Sequence, residues 1–411
     1  MKRIGLFFGL FVLGFQLFAE GYQVNLQGNR QTGMGHTGAG LLMGASSMHF
    51  NPGALGLMDK KYDFSFGGSL IFSNNTFQKQ APSTYEAQSD NPMGTPFYFY
   101  GATKISDKLA VGLAITTPYG NSLKWGDDWD GKYLIQDISL RAIFIQPTVS
   151  YKINDKLGFG VGFMAVNGNV DLNKALPLQD MNGDGSTNIS GNTWAYGFNA
   201  GLSYKPSDKL SFGISYRSEV KVKLDEGEAT FNVPKDLYDD ETSFPAKTKF
   251  KAELPMPTNI TFGVGYQIND KLLLAADLQY VGWSAYESLD FDFENNTPIL
   301  EDSQNQRDFE NTMVYRLGAE YAMNEKFQFR AGIYYDTTPI PEDLLTPETP
   351  GTDKIGMSLG CGYQINDKLS LDASLLYIHG TKREDGYAPT NFYGTYYSNA
   401  VIPGIGLNYS F

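Results

Sequence analysis

The sequence has little of what most enzymes and nucleic-acid-binding proteins need. Among 411 residues there is one cysteine, Cys361, so no intrachain disulfide can form. Histidine occurs only at His36, His49 and His379, too thin a supply for a His-rich metal site or a Ser-His-Asp triad. Basic residues are outnumbered 32 to 45, a formal net charge of −13 that argues against nucleic acid as a partner. No nucleotide-binding motif, metal site or cofactor signature is present, and no nucleophile–base arrangement points to an enzyme. After Phe18 there is no run of about 18 uncharged apolar residues, which excludes a transmembrane helix.

What is present is aromatic and glycine-rich: 26 Tyr, 28 Phe and 45 Gly. Mean hydropathy is nevertheless slightly negative, at −0.29. That pairing is odd for a soluble enzyme and ordinary for a membrane barrel, where half of each strand faces a polar lumen. The chain opens Met1-Lys2-Arg3, runs apolar from Ile4 to Phe18 and reaches Ala19-Glu20. A basic start, a short apolar stretch and a small residue predict a signal peptide over 1–19, cleaved after Ala19 or, alternatively, near Gly21. A short membrane anchor is the competing reading, but the run is too short to span comfortably.

One pattern recurs: Ile105-Ser-Asp-Lys-Leu109, Ile153-Asn-Asp-Lys-Leu157, Pro206-Ser-Asp-Lys-Leu210, Ile268-Asn-Asp-Lys-Leu272, Met323-Asn-Glu-Lys-Phe327 and Ile365-Asn-Asp-Lys-Leu369. Polar Asn/Ser-Asp between apolar flanks is hairpin-turn chemistry. The spacing varies from roughly 40 to roughly 60 residues, which a stacked solenoid tolerates badly. A barrel expects it, with short periplasmic turns and longer external loops.

Around the turns the residues alternate. Phe327, Phe329, Ala331, Ile333 and Tyr335 share one face, and Gln328, Arg330, Gly332, Tyr334 and Asp336 the other. Before that turn Met313, Tyr315, Leu317, Ala319 and Tyr321 alternate with Thr312, Val314, Arg316, Gly318 and Glu320. Period two with one apolar face is a half-buried strand. Arginine turned towards lipid would cost about 2–4 kcal/mol at mid-bilayer, so Arg316 and Arg330 belong in the lumen. Six hairpins, one strand near Lys61–Phe72 and one near Tyr396–Phe411 predict an all-β fold. It is a transmembrane antiparallel β-barrel of about 14 strands, an even number as bacterial barrels require. The final strand alternates Ile405, Leu407, Tyr409 and Phe411 with small or polar residues. It resembles the C-terminal signal read by the outer-membrane assembly machinery, one expected partner.

Residues 20–58 do not alternate. They are too apolar for a disordered tail, and their small residues allow tight backbone packing. They predict an N-terminal hatch in the lumen, with the barrel over 59–411. Gly21-Tyr22-Gln23-Val24-Asn25, the run Gly33-Met34-Gly35-His36-Thr37-Gly38 and Asn51-Pro52 resemble the hatch of the FadL/TodX outer-membrane transport family. That family usually has Asn-Pro-Ala; Asn51-Pro52-Gly53-Ala54 departs from it and predicts a more flexible hatch. Thr116-Thr117-Pro118-Tyr119-Gly120, Trp283-Ser284-Ala285-Tyr286 and Arg330 through Pro341 extend the resemblance over the whole mature chain.

The resemblance implies passive uptake of long-chain fatty acids or other hydrophobic compounds, such as aromatic hydrocarbons, across the outer membrane of a Gram-negative bacterium. It also implies hatch rearrangement and lateral exit through the wall at a kinked third strand, amid outer-membrane lipid and lipopolysaccharide. That strand is expected at Lys108–Pro118, with Gly112 permitting a bend and Pro118 removing a ladder donor, or simply ending the strand. Tyr22, Val24 and Phe50 are the expected hatch contacts to ligand, with Asn51, Pro52 and Gly53 shaping the hatch bend. Arg316 and Arg330 are candidates for a fatty carboxylate, although Glu320 and Asp336 nearby suit a structural ion-pair ladder. The longest loops are expected at 171–192, 225–256 and 284–308, carrying Leu172, Leu176, Leu178, Phe231, Val233, Leu237 and Phe244 towards a possible external groove. Asp180-Met-Asn182-Gly-Asp184-Gly185-Ser186 matches only half of a calcium loop, with Gly191 where the closing Glu belongs. An open porin or a structural barrel would share the wall but have no need of a hatch.

Overall fold

A computed structural model describes residues 21–178 and 184–411; the expected signal peptide lies outside them. The strand segments form one antiparallel sheet whose first strand pairs with its last, Asp63 opposite Ser410 through Ser69 opposite Gly404. Six of the strands are interrupted once, so the segments make a closed barrel of 14 strands. Closure leaves no free sheet edge in the hydrocarbon, where unpaired backbone groups cost several kcal/mol each.

The hairpin turns form for a local reason. Asn269, Asn324 and Asn366 each accept hydrogen bonds from the backbone N–H groups two and three residues on, at 2.9–3.1 Å. The side chain replaces the missing ladder partner at the tightest point. Between turns the alternation has the expected sense, with apolar side chains outward. Leu317 is 59% exposed and Ile333 45%, whereas Arg316 and Arg330 are buried on the inner face. Such inversion is stable only with lipid outside.

The expected ends shift. The first strand runs Tyr62–Ser69 and resumes at Phe72–Lys79, and the last runs Phe392–Ser410. The third strand is Leu109–Lys124, so Pro118 does not end it. Two of the three long loops prove to be mainly strand. The fifth and sixth strands (Leu157–Leu176 and Gly185–Tyr204) stand tall together, and the seventh and eighth (Val220–Asn232 and Lys247–Met256, outer parts) do likewise. Residues 284–308 hold shorter strands, Ser288–Phe293 and Ser303–Gln306. Their polarity reads as loop because they rise beyond the membrane, where the outer face meets water.

Residues 21–58 fill the lumen with short helical turns, Asn29–Thr32, Gly44–Ser46, Ser47–Phe50 and Pro52–Leu55. They rest on three glycine seats in the wall. Met34 and Gly35 lie on Gly318 and Gly332, Ala39 and Gly40 on Gly213 and Gly263, and Pro52 and Gly53 on Gly158, Gly160 and Gly201. A Cβ on Gly213 would stand 1.8 Å from the Ala39 carbonyl oxygen. The expected flexibility at Gly53 is not what its place provides. A Cβ there would meet the Gly201 and Gly158 carbonyls at 2.6 and 2.7 Å, so glycine permits a closer seat.

Gly213→Val should therefore leave the strand intact and displace the hatch. Planar-bilayer recordings should show open-channel conductance in this variant and none in the parent; a variant as closed as the parent would show the seat to be dispensable.

Candidate ligand path through the barrel

Two chambers lie one above the other in the barrel. The outer chamber is narrow, with a cavity volume of about 80 Å³. Its wall is apolar: Leu140, Val170, Leu172, Ile189, Val222, Leu224, Phe250 and Phe291. The extended strands bring these residues together. Of the apolar side chains expected outside, Leu172, Phe231, Val233 and Phe244 are buried, with Leu176, Leu178 and Leu237 packed against them.

The floor of this chamber is an aromatic shutter. Tyr22 of the hatch meets Trp283 edge-on at 5.0 Å, Tyr286 at 6.0 Å and Tyr119 at 6.2 Å. Its hydroxyl donates to the Pro255 carbonyl. Trp283, Tyr286 and Tyr119 were visible in sequence only as parts of family-like motifs. Nothing local told that they would gather round Tyr22.

Beneath lies a polar chamber of about 50 Å³ lined by Gln23, His36, His49, Phe50, Arg217, Asp277 and Arg316. Phe50 sits between His36 and His49, at 4.9 and 5.0 Å. Arg217 donates to His49 Nδ1 and to the His49 carbonyl, both at 3.0 Å. Asp277 accepts from the Gly38 and Ala39 N–H groups at 2.8 and 3.0 Å, tying the hatch to the wall. Arg316 is 4% exposed, and its Nε and one Nη have no hydrogen-bond partner among the described residues. Asn51 caps the Gly53 N–H at 3.0 Å and donates to the Ala39 carbonyl at 2.8 Å, and Pro52 opens the next helical turn.

Arg330 does not reach either chamber. It lies below the hatch, with its Nε 2.6 Å from Glu320 and an Nη 2.5 Å from Asp372. Glu320 also holds Arg30 of the hatch at 2.7 Å. The expected ion-pair ladder forms at Arg330 and Glu320, with Asp372 and the hatch's Arg30 as its other members, and Arg316 lies outside it. Val24 is likewise away from the chambers, packed near Leu26, Tyr334, Leu376 and Ile402.

The third strand runs on through Pro118, but its pairing is irregular there. Its ladder to the second strand (Phe97–Lys104) stops at Tyr98 opposite Thr116. Its register against the fourth strand (Asp137–Asn154) slips between Thr116 and Tyr119. Pro118, lacking an N–H, sits in that bulge. The hatch fills the gap: Val24 N–H donates to the Pro118 carbonyl at 2.8 Å, and Gly120 N–H to the Tyr22 carbonyl at 3.0 Å. The bend is not at Gly112, which is regularly paired on both sides. Gly112 instead makes room for Met48, whose sulfur would lie 2.5 Å from a Cβ there.

Asp184 of the half calcium loop is held by Lys132 at 2.6 Å and by the Tyr133 hydroxyl at 2.7 Å. Residues 180–183 lie outside the described residues.

A closed 14-stranded barrel, apolar outside and plugged by its own N-terminal residues, defines a Gram-negative outer-membrane transport channel rather than an enzyme. The chain belongs to the outer membrane protein transport protein family (OMPP1/FadL/TodX), whose model matches residues 10–411. It is 23% identical to a long-chain fatty acid transport protein of Salmonella typhi over 97% of this chain and 96% of that one. The crystal structure of a Pseudomonas aeruginosa FadL homologue has the same fold, with a TM-score of 0.84, 20% identity and coverage of 95% and 100%. The Ralstonia pickettii toluene transporter TbuX gives a TM-score of 0.72, 21% identity and coverage of 93% and 98%.

Glu320→Gln should loosen the hatch. It leaves the buried Arg330 short of a partner, a change worth on the order of 3 kcal/mol. A lower unfolding midpoint in urea, with the folded barrel still assembled, is the expected reading; an unchanged midpoint would remove the ladder from the account of hatch stability.

Proposed function

We propose that the protein takes up hydrophobic small molecules, long-chain fatty acids foremost, passively across the outer membrane. The observation that carries this reading is the apolar outer chamber closed below by Tyr22. Each methylene buried there contributes about 0.8 kcal/mol, so an acyl chain is drawn out of the polar saccharide layer. Tyr22 and Phe50 meet the ligand in turn, and Val24 shapes the segment that must move. Withdrawal of residues 22–24 from the third strand joins the two chambers and uncovers the gap at Pro118. The cargo then leaves sideways into the bilayer, between lipid acyl chains, rather than through the hatch to the periplasm. The outer strands work amid lipopolysaccharide, and the alternating last strand is what the assembly machinery engages. The 20–58 segment acts as the hatch of a barrel formed by 59–411.

Arg316 is the cation for an acid head group in the polar chamber, because its burial leaves two N–H groups unsatisfied and such groups are costly. Arg330 is already paired twice and keeps its structural role. A second reading, aromatic hydrocarbon uptake, is favoured by Phe250, Phe291, Tyr22 and Tyr286 among the residues that line the outer chamber.

Uptake of labelled oleate and labelled toluene by cells lacking their own channel tests both readings. Leu224→Arg, which places a charge in the chamber wall, should abolish uptake of either compound. Arg316→Gln should cut oleate uptake about tenfold and spare toluene. Toluene entry without oleate entry would overturn the fatty-acid reading, and entry of small sugars with both would point to an open pore.

A further inference from the structure

The outer chamber is roofed by the segment 337–353, which joins the eleventh strand (Phe327–Asp336) to the twelfth (Lys354–Gln364). The segment folds inward, with Ile340 and Leu345 buried at 1% and 0% exposure. Arg383 and Gly386 hold its flanks through the Ile340, Pro341 and Leu345 backbone, and three further groups from outside tie Pro347 and Glu348 at its tip. The Trp125 indole N–H donates to the Pro347 carbonyl at 2.9 Å, and the Asn121 amide to the Glu348 carbonyl at 2.9 Å. The third tie is ionic: Arg307 reaches the Glu348 carboxylate at 2.5 Å.

Glu348 is unusual in its place. It borders the apolar outer chamber, and its partner Arg307 is only 4% exposed at the side chain. Lys174 is a second cation facing the same carboxylate. The other acid on the chamber wall, Glu253, is neutralised from outside by Lys221 and Lys223. Without Glu348 the roof of an apolar cavity would therefore carry two cations and no anion. A carboxylate at the end of a long apolar chain would meet the same geometry from within the chamber.

We propose that Glu348 is a built-in stand-in for the cargo's head group. A long-chain carboxylate in the outer chamber exchanges with Glu348 on Arg307, and the roof segment lifts. The exchange rests on the outer chamber being the cargo site, as proposed above. Replacing one carboxylate by another leaves Arg307 equally desolvated and equally paired, so the exchange itself is nearly neutral. The apolar tail then decides the outcome, each buried methylene favouring the ligand about fourfold. A compound with the same tail and no charge fills the chamber without releasing the latch.

The test compares oleate with oleyl alcohol on the purified full-length barrel. The parent should bind oleate at least tenfold more tightly than the alcohol. Oleate alone should change a tryptophan emission component that is absent from Trp125→Phe. Glu348→Gln removes the internal competitor and should tighten oleate about tenfold with little effect on the alcohol. Arg307→Gln should erase the preference for oleate. The double variant, which removes Arg307 together with its partner, guards against misfolding of the single variants and should show the same loss. Equal binding of both ligands by the parent and every variant would overturn the latch while leaving the chamber reading intact. Weaker oleate binding in Glu348→Gln would also overturn it. Failure of both ligands to bind the parent would instead remove the chamber reading, and the latch with it.

Discussion

A 14-stranded barrel is too wide for its own wall side chains to fill, and strand closure alone would leave an aqueous channel. Here hatch backbone lies directly on wall backbone, because the facing wall positions are glycine. Gly213 and Gly263 receive Ala39 and Gly40, Gly318 and Gly332 receive Met34 and Gly35, and Gly158 with Gly201 receives Gly53. Glycine weakens a strand on its own account. The loss is offset by removing the space through which solutes would leak, and by fixing where each remaining gap lies. At the N-terminal end of the plug, residues 22–24 hold the third strand by backbone hydrogen bonds.

Polarity then divides the space that the seats leave. Strands that rise beyond the membrane enclose apolar side chains, while mid-barrel positions carry Arg217, Asp277 and Arg316 around the hatch. Tyr22 stands between the two regions, apolar in body and hydrogen-bonded at its tip. Below the hatch, Arg30, Glu320, Arg330 and Asp372 neutralise one another, so that side carries charge without an unmatched cation in its ladder. The unmatched donors lie above, on Arg316. An acidic head group would accordingly find a partner on the ligand side of the plug.

The wall was legible in the sequence because its determinants are local. An Asn in a tight turn satisfies backbone groups two and three residues away, and lipid on one side imposes strict alternation on Phe327 through Asp336. Lumen-facing Arg316 and Arg330 followed from that alternation. The breaks in six strands were not read from the sequence, although Pro96, Pro257 and Gly282 stand at three of them. Nor were the tall outer strands, because polar faces beyond the membrane look like loop. Pro118 announced a missing donor but not the hatch segment that would take the neighbour's place. The Arg30–Glu320 and Arg307–Glu348 pairs join residues far apart in the chain, and no pattern along the sequence encodes them.

The lost pairing between the second and third strands and the hatch explain each other. Carbonyl and N–H groups at Pro118 and Gly120 would be left open by the lost pairing with the second strand, and open backbone groups beside hydrocarbon are expensive. Tyr22 and Val24 satisfy them without completing the wall. The segment is held there by two backbone hydrogen bonds, the Tyr22 aromatic cluster and the bond from the Tyr22 hydroxyl to the Pro255 carbonyl, so the same hatch residues that close the chamber floor also cover the unpaired stretch of wall.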